Sequence, residues 1–284
     1  MEGKLYLVPT PIGNLKDITL RALEVLQNVD IIAAEDTRQS LKLLNHFNIK
    51  KTLISYHQHN EQGKSENIIN QIKEGKNIAI ISDAGSPGIS DPGSVIVLKC
   101  IEQNIRFEVL PGATAITTAL VYSGLDTTKF IFRGFLPREN KERKPIIDDL
   151  INRSETLILY EAPHRLLKTL EFLYENIGNR KISMCRELTK LYEEIIRLNL
   201  EEAVEYYKQN APRGEYVLVI EGKSKEDIDK DERAKWDTLT IEEHIQKFMN
   251  EGLNKKDAMK KVAKDRGVSK SEIYKHSLNI NLIT

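Results

Sequence analysis

Residues 82–93 have the sequence SDAGSPGISDPG and directly follow the apolar segment NIAII at residues 77–81. These twelve residues hold three Gly, two Pro, two Asp and three Ser, a composition that cannot form a hydrophobic core. In open α/β sheets, ligands bind at loops that follow the carboxyl ends of parallel strands. Glycines let the backbone approach a ligand closely, and free N–H groups suit a carboxylate or a phosphate. The segment therefore predicts an α/β fold with a ligand site after this strand, whereas a turn-rich surface loop is the alternative.

Two further Gly- and Pro-containing segments also follow predicted strands. VPTPIGN at residues 8–14 follows the first apolar run, and LPGATA at residues 110–115 opens a helix whose N-terminus suits an anionic group. The segment at 82–93 fits neither GxGxxG nor GxxxxGK[ST], which argues against a Rossmann or P-loop site. Three such loops after three strands of one sheet would line a single rim.

The pattern of apolar runs predicts two sheets. In the first part of the chain, apolar runs alternate with segments of helical period. These runs show no polar alternation, which is typical of buried parallel strands. They lie at residues 5–8, 31–34, 78–81 and 107–110. The later runs alternate more with polar residues, which indicates a mixed sheet; they lie at residues 130–132, 156–160, 181–185, 194–198 and 216–221. We therefore predict α/β domains at residues 1–118 and 119–222.

The C-terminal part differs in composition. Residues 223–236 hold almost no apolar side chain, which indicates a charged linker. Residues 237–284 have a helical pattern, with a turn and a new helix cap at residues 267–269. Residues 252–284 hold eight Lys or Arg against three Asp or Glu, a local charge of +5, although the whole chain has a formal net charge of zero. We predict a small, basic helical extension.

Length and composition exclude several classes of protein. A chain of 284 residues with 40% hydrophobic and 30% charged residues is typical of a globular protein of two domains. Cys100 and Cys185 have no neighbouring Cys or His at ligand spacing, so we expect buried thiols, no metal site and a reducing compartment. No apolar run approaches the ~18 residues of a membrane span, and the N-terminus does not resemble a signal peptide. We expect a cytoplasmic protein.

Three polar clusters lie at predicted strand ends. Glu35, Asp36 and Arg38 follow the strand at 31–34, although helix capping also explains them. The segments YEAPHR at 160–165 and CRELTK at 185–190 place acidic and basic side chains at the same kind of edge. We expect the two strands that carry these turns to lie side by side. Arginine and lysine at such an edge are suited to bind phosphate.

Several motifs together resemble the tetrapyrrole-methylase superfamily, and within it the branch that methylates the ribose of small-subunit ribosomal RNA. They are LVPTPIGNLKDIT, AAEDTR, SDAGSPGISDPG, VLPGATA, GFLPR, YEAPHR, CRELTK and GEYVLVIEG. The resemblance covers roughly residues 4–222, and the tail is similar to the helix-turn-helix-type extension of many members. It implies two α/β domains of the tetrapyrrole methylase fold, with S-adenosyl-L-methionine in the cleft between them, and a homodimer.

The resemblance also implies which residues bind the cofactor. They are Pro11, Ala84, Gly85, Ser86, Ile89, Thr114, Ala115, Tyr160, Ala162 and Tyr216. The tetrapyrrole-methylating branch has GAGPGD and GGDP where this chain has PTPIGN and AGSP, so Asn14 and Ser86 replace acidic residues. This difference argues against a porphyrin-type substrate.

The function that the resemblance implies is methylation of the ribose 2′-hydroxyl of a cytidine in the decoding region of 16S rRNA, free or in the small subunit. Methyl transfer depends mainly on positioning, and a hydroxyl nucleophile gains from a nearby base. The candidate bases are Glu161, Glu35 and Asp36, and the candidate RNA contacts are Arg38, His164, Arg165, Arg186 and Lys190. The alternatives are a methylase of a small tetrapyrrole and a non-enzymatic RNA-binding protein.

Overall fold

The first five strands form a parallel sheet in this structure, a computed structural model that describes residues 2–234, 236 and 238–277. The strand order is β3-β2-β4-β1-β5. The strands are β1 (Leu5–Leu7), β2 (Ile31–Ala34), β3 (Thr52–Ser55), β4 (Ile78–Ile81) and β5 (Phe107–Val109). The predicted parallel sheet is confirmed.

Helices cover both faces of this sheet. They are α1 (Leu20–Asn28), α2 (Thr37–His46), α3 (Glu61–Lys73) and α4 (Ser94–Glu102), and a 3₁₀ turn spans Leu15–Asp17. Successive strand residues point to opposite faces. Ile78 and Ile80 of β4 belong to the apolar cluster that includes α3 and α4, whereas Ala79 and Ile81 belong to the cluster that includes α1 and α2. Burial on both faces explains why the inner strands β2 and β4 lack polar residues.

The sequence pattern missed β3 and α4. The strand β3 lies at the edge of the sheet, and its residues are exposed or only partly buried. It therefore lacks the fully apolar run of β2 and β4. The helix α4 has the sequence SVIVLKCIE, whose β-branched residues favour a strand over a helix. Tertiary packing against the sheet overrides that local preference.

The second sheet is mixed, as predicted, with the strand order β6-β7-β10-β8-β9. Its strands are β6 (Phe130–Phe135), β7 (Thr156–Glu161), β8 (Lys181–Arg186), β9 (Glu194–Asn199) and β10 (Tyr216–Ile220). The prediction that β7 and β8 lie side by side is wrong, because β10 pairs antiparallel with both and separates them. Both sheets belong to one unit of the chain, Met1–Lys144 with Thr156–Glu221.

Helices also pack around the second sheet. They are α5 (Ala115–Ser123), α7 (Leu166–Ile177) and α8 (Leu200–Gln209), and a further helix, α6 (Asn140–Leu150), follows β6 in the chain. The apolar side chains of α5, including Ile116 and Leu120, pack on Ile158 and Val217 of this sheet. The predicted domain boundary after residue 118 falls inside α5, which packs as a whole with the second sheet.

A second unit comprises Pro145–Glu155 and Gly222–Thr284. Its C-terminal helices are α9 (Lys225–Ala234), α10 (Ile241–Asn250), α11 (Lys255–Arg266) and α12 (Lys270–Ser277). Ile245, Phe248, Val262 and Ile273 form the core that joins the last three. Residues 235, 237 and 278–284 of the predicted linker and extension lie outside the described residues.

The predicted linker at 223–236 contains the helix α9. Ser224 starts it, since its hydroxyl accepts a hydrogen bond from the backbone N–H of Asp227 at 3.0 Å. Asp227 then pairs with Lys230 one turn later, at 3.4 Å. Local capping and ion pairs therefore form a helix in a segment that has almost no apolar residue.

His244 is fully buried in the second unit. Its ring stacks on Trp236, with centroids 3.9 Å apart, and its Nδ1 accepts a hydrogen bond from Nε of Arg266 at 3.2 Å. Burial, followed by the charges of Arg266 and Lys247, lowers the pKa of His244 to about 4. Lys261 acts in the same direction and Glu251 opposes it, and Asp265 Oδ2 lies 3.8 Å from Nε2.

We expect this unit to lose stability as the pH falls from about 6.5 to about 4. An unfolded histidine titrates near 6.5, so in that window the unfolded state binds more protons and is favoured, by on the order of 2 kcal/mol at the lower end. Urea unfolding followed by the fluorescence of Trp236, the single tryptophan, measures the change. His244→Phe keeps a stacked ring without the titration, so its midpoint should change less between pH 6.5 and 4 than that of the parent protein. Equal changes in both proteins would contradict the assignment.

Candidate functional site

The three Gly- and Pro-containing loops meet at the carboxyl end of the first sheet. Thr10 in the first loop and Gly85 in the second exchange two backbone hydrogen bonds of 2.9 and 3.0 Å. The Thr10 hydroxyl also donates to the backbone oxygen of Ser82 at 3.1 Å. In the third loop, a β-carbon added to Gly112 would lie 2.5 Å from Cβ of Pro9, so this contact requires glycine. The predicted convergence of the loops is confirmed.

A pocket of about 370 Å³ lies between these loops and the second sheet, inside the first unit of the chain. This volume falls in the range of small-molecule sites. Part of the wall is apolar, formed by Ile12, Ile89, Ala115, Ile116, Phe135, Leu188 and Val217. Another part carries six carboxylates, those of Glu35, Asp83, Asp91, Glu161, Glu187 and Glu215. The pocket therefore suits a small ligand that has both apolar and cationic groups.

The predicted cofactor residues gather at this pocket. All of them except Pro11 line it, namely Ala84, Gly85, Ser86, Ile89, Thr114, Ala115, Tyr160, Ala162 and Tyr216. Pro11 is buried in the first loop beside the lining residue Ile12. Of the predicted bases, Glu35 and Glu161 line the pocket and Asp36 does not. Of the predicted RNA contacts, Lys190 lines it, whereas Arg38, His164, Arg165 and Arg186 do not.

Glu161 at the end of β7 is 1% exposed, and both of its carboxylate oxygens are engaged. One oxygen accepts a hydrogen bond from the backbone N–H of Ala162 at 2.9 Å and lies 3.2 Å from Nε of Arg165. The other accepts a hydrogen bond from the Thr169 hydroxyl at 2.5 Å. Arg165 also donates to the backbone oxygen of Leu136 at 2.5 Å. These contacts fix the turn between β7 and α7.

Glu35 and Asp36 have different surroundings although they are adjacent in the chain. Burial, followed by repulsion from Asp83, raises the pKa of Glu35. Asp36 caps α2 and forms hydrogen bonds with the Arg38 guanidinium, which lower the pKa of its carboxyl to about 2. The Asp83 carboxylate accepts a hydrogen bond from the backbone N–H of Asp36 at 3.0 Å. Of Glu35 and Asp36, only Glu35 has a raised pKa and lies at the pocket.

The remaining predicted cations also have acidic partners. Nε of Arg186 lies 3.3 Å from Glu194, and Lys190 contacts Glu187 at 3.2 Å and Glu215 at 2.9 Å. Arg38 and Arg165 pair with Asp36 and Glu161, as described above. His164 is exposed at the start of the turn before α7. An RNA phosphate at any of these four cations would therefore compete with a carboxylate.

Sequence reasoning missed several residues of the pocket wall, among them Asp83, Asp91, Phe135 and Glu187. Asp83 and Asp91 lie in the loop at residues 82–93. Two acidic residues in a predicted ligand loop were therefore a usable signal. Phe135 follows an irregularity in the pairing of β6, and no local pattern indicates where its side chain lies.

Metal-binding groups and membrane-spanning helices are both absent from the described residues. No group of three or more His, Cys, Asp or Glu side chains among them is arranged to hold a metal ion. Within the same residues, none of the helices has the length and apolar character needed to cross a bilayer. Cys100 and Cys185 are buried free thiols, as expected.

Comparison with known proteins identifies the family. The profile of the tetrapyrrole (corrin/porphyrin) methylases matches residues 4–204. The chain is 48% identical over 272 residues to the ribosomal RNA small subunit methyltransferase I of Bacillus subtilis (strain 168), covering 96% of this chain and 93% of that one. It is 45% identical over 221 residues to a protein of the same name from Thermotoga maritima, covering 78% of this chain and 99% of the relative.

A solved structure shows the same fold. The uroporphyrin-III-C-methyltransferase from Thermus thermophilus superposes with a TM-score of 0.54 at 22% identity, covering 76% of this chain and 94% of that one. The two five-stranded sheets, the Gly- and Pro-containing loops at the carboxyl ends of the parallel strands and the profile match agree with one another. The chain belongs to the tetrapyrrole methylase family.

Proposed function

We propose that this protein transfers a methyl group from S-adenosylmethionine to the ribose 2′-hydroxyl of a cytidine in the decoding region of 16S ribosomal RNA. The observation that carries the proposal is the 48% identity, over 96% of the chain, to a protein named ribosomal RNA small subunit methyltransferase I. An alignment of that extent includes the elements that form the pocket. Because the substrate is ribosomal RNA, the proposed place of action is the cytoplasm.

The pocket residues fit S-adenosylmethionine, which would supply the methyl group when bound. The positive sulfonium and ammonium groups of this molecule suit the six carboxylates of the wall. Apolar side chains such as Ile116 and Val217 suit the adenine ring. Gly85 has φ +82°, a conformation that favours glycine, so the loop is shaped for close approach to a ligand.

Glu161, Glu35 and Asp36 are the proposed acceptors for the proton of the ribose hydroxyl. An acceptor must reach the hydroxyl within about 3 Å. Glu161 has three partners and Asp36 is paired with Arg38, so their geometry favours positioning roles. Glu35 lines the pocket, and burial, followed by repulsion from Asp83, raises the pKa of its carboxyl.

The proposed RNA contacts include Arg38, Arg165, Arg186 and Lys190 beside the pocket, with the exposed His164. A local charge of +5 at residues 252–284 supports a further contribution from the basic extension. A helical cap that only stabilises the protein is the alternative role of that extension. The Thermotoga maritima relative, which aligns with 78% of this chain, is shorter by about the length of the part that follows Glu221.

The exposed lysines of the extension test these two roles. Replacing Lys264, Lys270 and Lys275 by Ala should weaken RNA binding. The dependence of the association constant on salt should also become less steep. The slope of its logarithm against the logarithm of the salt concentration should fall in magnitude by about 0.7–0.9 for each phosphate that a lysine no longer neutralises. Cofactor affinity should stay the same. The matched control replaces three exposed lysines of the first unit, Lys42, Lys50 and Lys141, by Ala. Equal slopes in the two triple variants would favour the stabilising role.

We also propose a homodimer. The end of α5 and the loop before β9 expose apolar side chains, with Val121 75%, Tyr192 70% and Leu191 89% exposed. The two segments adjoin, since the Tyr122 hydroxyl donates to Glu193 at 3.3 Å. Exposed apolar patches are typical of interfaces. Sedimentation should give twice the 32.5 kDa chain mass, and Leu191→Lys should lower it.

Mass analysis of ribosomal RNA nucleosides, from cells with and without this protein, tests the proposed activity. The expected result is loss of one 2′-O-methylated cytidine in 16S RNA. Assays of the purified protein on free rRNA, on small subunits and on uroporphyrinogen separate RNA methylation from tetrapyrrole methylation. Calorimetry with S-adenosylmethionine separates both enzymes from an RNA-binding protein, because only the enzymes should bind it. An unchanged nucleoside profile would contradict the proposal.

A further inference from the structure

One carboxylate of the pocket is not among the candidate acceptors discussed above. Asp91 lies near the end of the loop between β4 and α4 and lines the pocket together with Glu35, Asp83 and Tyr160. The residue after next, Gly93, is buried, and a β-carbon there would lie only 3.0 Å from the backbone nitrogen of Gly88. The loop therefore folds tightly back on itself, which fixes the position of Asp91 in the wall.

The acidic residues of the wall differ in their hydrogen bonds. Glu161 is held by Ala162, Thr169 and Arg165. Glu187 accepts a hydrogen bond from the backbone N–H of Glu215 at 2.8 Å, and both residues contact Lys190.

The two carboxylates that repel Asp91 also have donors. Asp83 accepts a hydrogen bond from the backbone N–H of Asp36, and Glu35 accepts one from the backbone of Asp83. Among the hydrogen bonds and ion pairs of the described residues, none involves the carboxylate of Asp91. Its neighbours instead act on it by repulsion, since Glu35 and Asp83 both carry negative charge. A carboxylate of the wall that lacks a donor has its lone pairs free for a hydroxyl of a bound substrate.

The basicity of Asp91 agrees with this arrangement. Burial, followed by repulsion from Glu35 and then Asp83, raises the pKa of Asp91 to about 7. The charge of Asp91 acts in turn on Tyr160, whose pKa is raised to about 12 by burial and then by that charge. A general base is most effective when its pKa lies near the working pH. Repulsion from Glu35 and Asp83 thus adds to burial as a cause of the basicity of Asp91.

We propose that Asp91 accepts the proton of the attacking hydroxyl in the methyl transfer described under the proposed function, on which this inference rests. In that step the hydroxyl oxygen bonds to the methyl carbon, and the bond between this carbon and sulfur breaks. The electron pair of that bond stays on sulfur, which leaves as a neutral thioether. The hydroxyl proton passes to the Asp91 carboxylate. Charge balances, because one positive and one negative group are both neutralised.

The titration of Asp91 can be measured without any substrate. Carboxyl ¹³C NMR of the ligand-free protein should show one aspartate resonance with a midpoint near pH 7, and Asp91→Asn should remove it. Because a raised pKa means that the folded state disfavours the charged form, stability is lost as the pH rises from about 4 to about 7. Asp91→Asn should therefore unfold at a higher temperature than the parent protein at pH 8. Titration of all aspartates below pH 5 would overturn the proposal, since the base would be too weak.

Kinetics test the role itself. With small subunits as substrate, kcat/KM of the parent protein should rise with pH to a plateau, with a midpoint near 7. Asp91→Asn should lower single-turnover methylation about 100-fold or more and abolish this midpoint, while S-adenosylmethionine binding stays within about tenfold. Asp91→Glu, which keeps a carboxylate, should recover part of the rate. Asp148→Asn makes the same change at an exposed position outside the pocket and should leave the rate unchanged.

The outcomes separate this inference from the proposed function. If the parent protein methylates no small-subunit RNA, the proposed function fails, whatever the NMR titration shows. If the parent protein is active and folded Asp91→Asn keeps both its rate and its pH midpoint, Asp91 is not the proton acceptor. If Asp91→Asn loses rate only because S-adenosylmethionine no longer binds, the carboxylate is a binding group and the inference is overturned.

Discussion

Gly85→Val should weaken S-adenosylmethionine binding about 100-fold or more and leave a folded protein. A β-carbon at this position would lie 3.4 Å from Cγ2 of Ile12 and 3.6 Å from the backbone oxygen of Ala113, so the two methyl groups of valine would extend among residues of the pocket wall. Added atoms in a packed site cost about 1–3 kcal/mol, and displacement of the ligand adds to that loss. Isothermal titration calorimetry measures the affinity.

Backbone strain is a separate effect of the same substitution and needs its own control. Gly85 has φ +82°, which a β-branched residue adopts only at a cost of about 1–2 kcal/mol. Gly178 has the same φ of +82°, and no atom lies within 4 Å of a β-carbon built there. Gly178→Val should therefore lower the melting temperature and retain the affinity. Tight binding by folded Gly85→Val would show that the cofactor lies elsewhere.

The sequence allowed the prediction of features that depend on local pattern. The uniformly apolar residues of β2 and β4 predicted buried parallel strands. Thr19, a residue type typical of helix N-caps, caps α1 by accepting a hydrogen bond from the backbone N–H of Ala22 at 3.0 Å. The loop glycines were predicted to let the backbone approach a ligand, which stays a prediction, and the structure shows Gly85 paired with Thr10 and Gly112 packed on Pro9. Each of these features is encoded within a few consecutive residues.

Features that depend on pairing between distant segments were harder to predict. The insertion of β10 between β7 and β8 is set by tertiary hydrogen bonding, and it separates two turns that we expected to be neighbours. The same limit applies to charges. A sequence shows that Arg165 is basic, but only the fold shows that it lies 3.2 Å from Glu161. The hydrogen bonds of Asp91 and its neighbours could not be predicted either. Glu35 and Asp83 each accept a hydrogen bond, whereas Asp91 accepts none from the described residues, and no sequence motif shows this difference.

Glu161→Gln should lower the stability of the folded protein and have a smaller effect on the rate of methyl transfer per folded molecule. The substitution removes the negative charge beside Arg165, whose side chain is only 15% exposed, and so leaves a largely buried guanidinium without its anion. Loss of one partner of a buried ion pair costs about 3–5 kcal/mol. At about 2–4 °C for each kcal/mol, the melting temperature should fall by roughly 10 °C. Differential scanning calorimetry measures the fall.

Turnover per folded molecule distinguishes a positioning role of Glu161 from proton transfer. If Glu161 only fixes the turn before α7, single-turnover methylation by the folded fraction should stay within about tenfold of the parent protein. If it accepts the ribose proton, turnover should fall about 100-fold or more, with RNA binding retained. The three contacts of Glu161 favour the first result, because they hold both oxygens within the turn.

A double substitution separates the ion pair from other effects at this position. Arg165→Leu alone leaves the Glu161 carboxylate buried without its cation, so it should also be destabilising. Combining it with Glu161→Gln removes both charges, and the loss in the double variant should be smaller than the sum of the two single losses. The coupling between contacting charged residues is commonly about 0.5–3 kcal/mol. Strictly additive losses would mean that the 3.2 Å contact does not stabilise the turn, and Glu161 would then return as a candidate base beside Asp91.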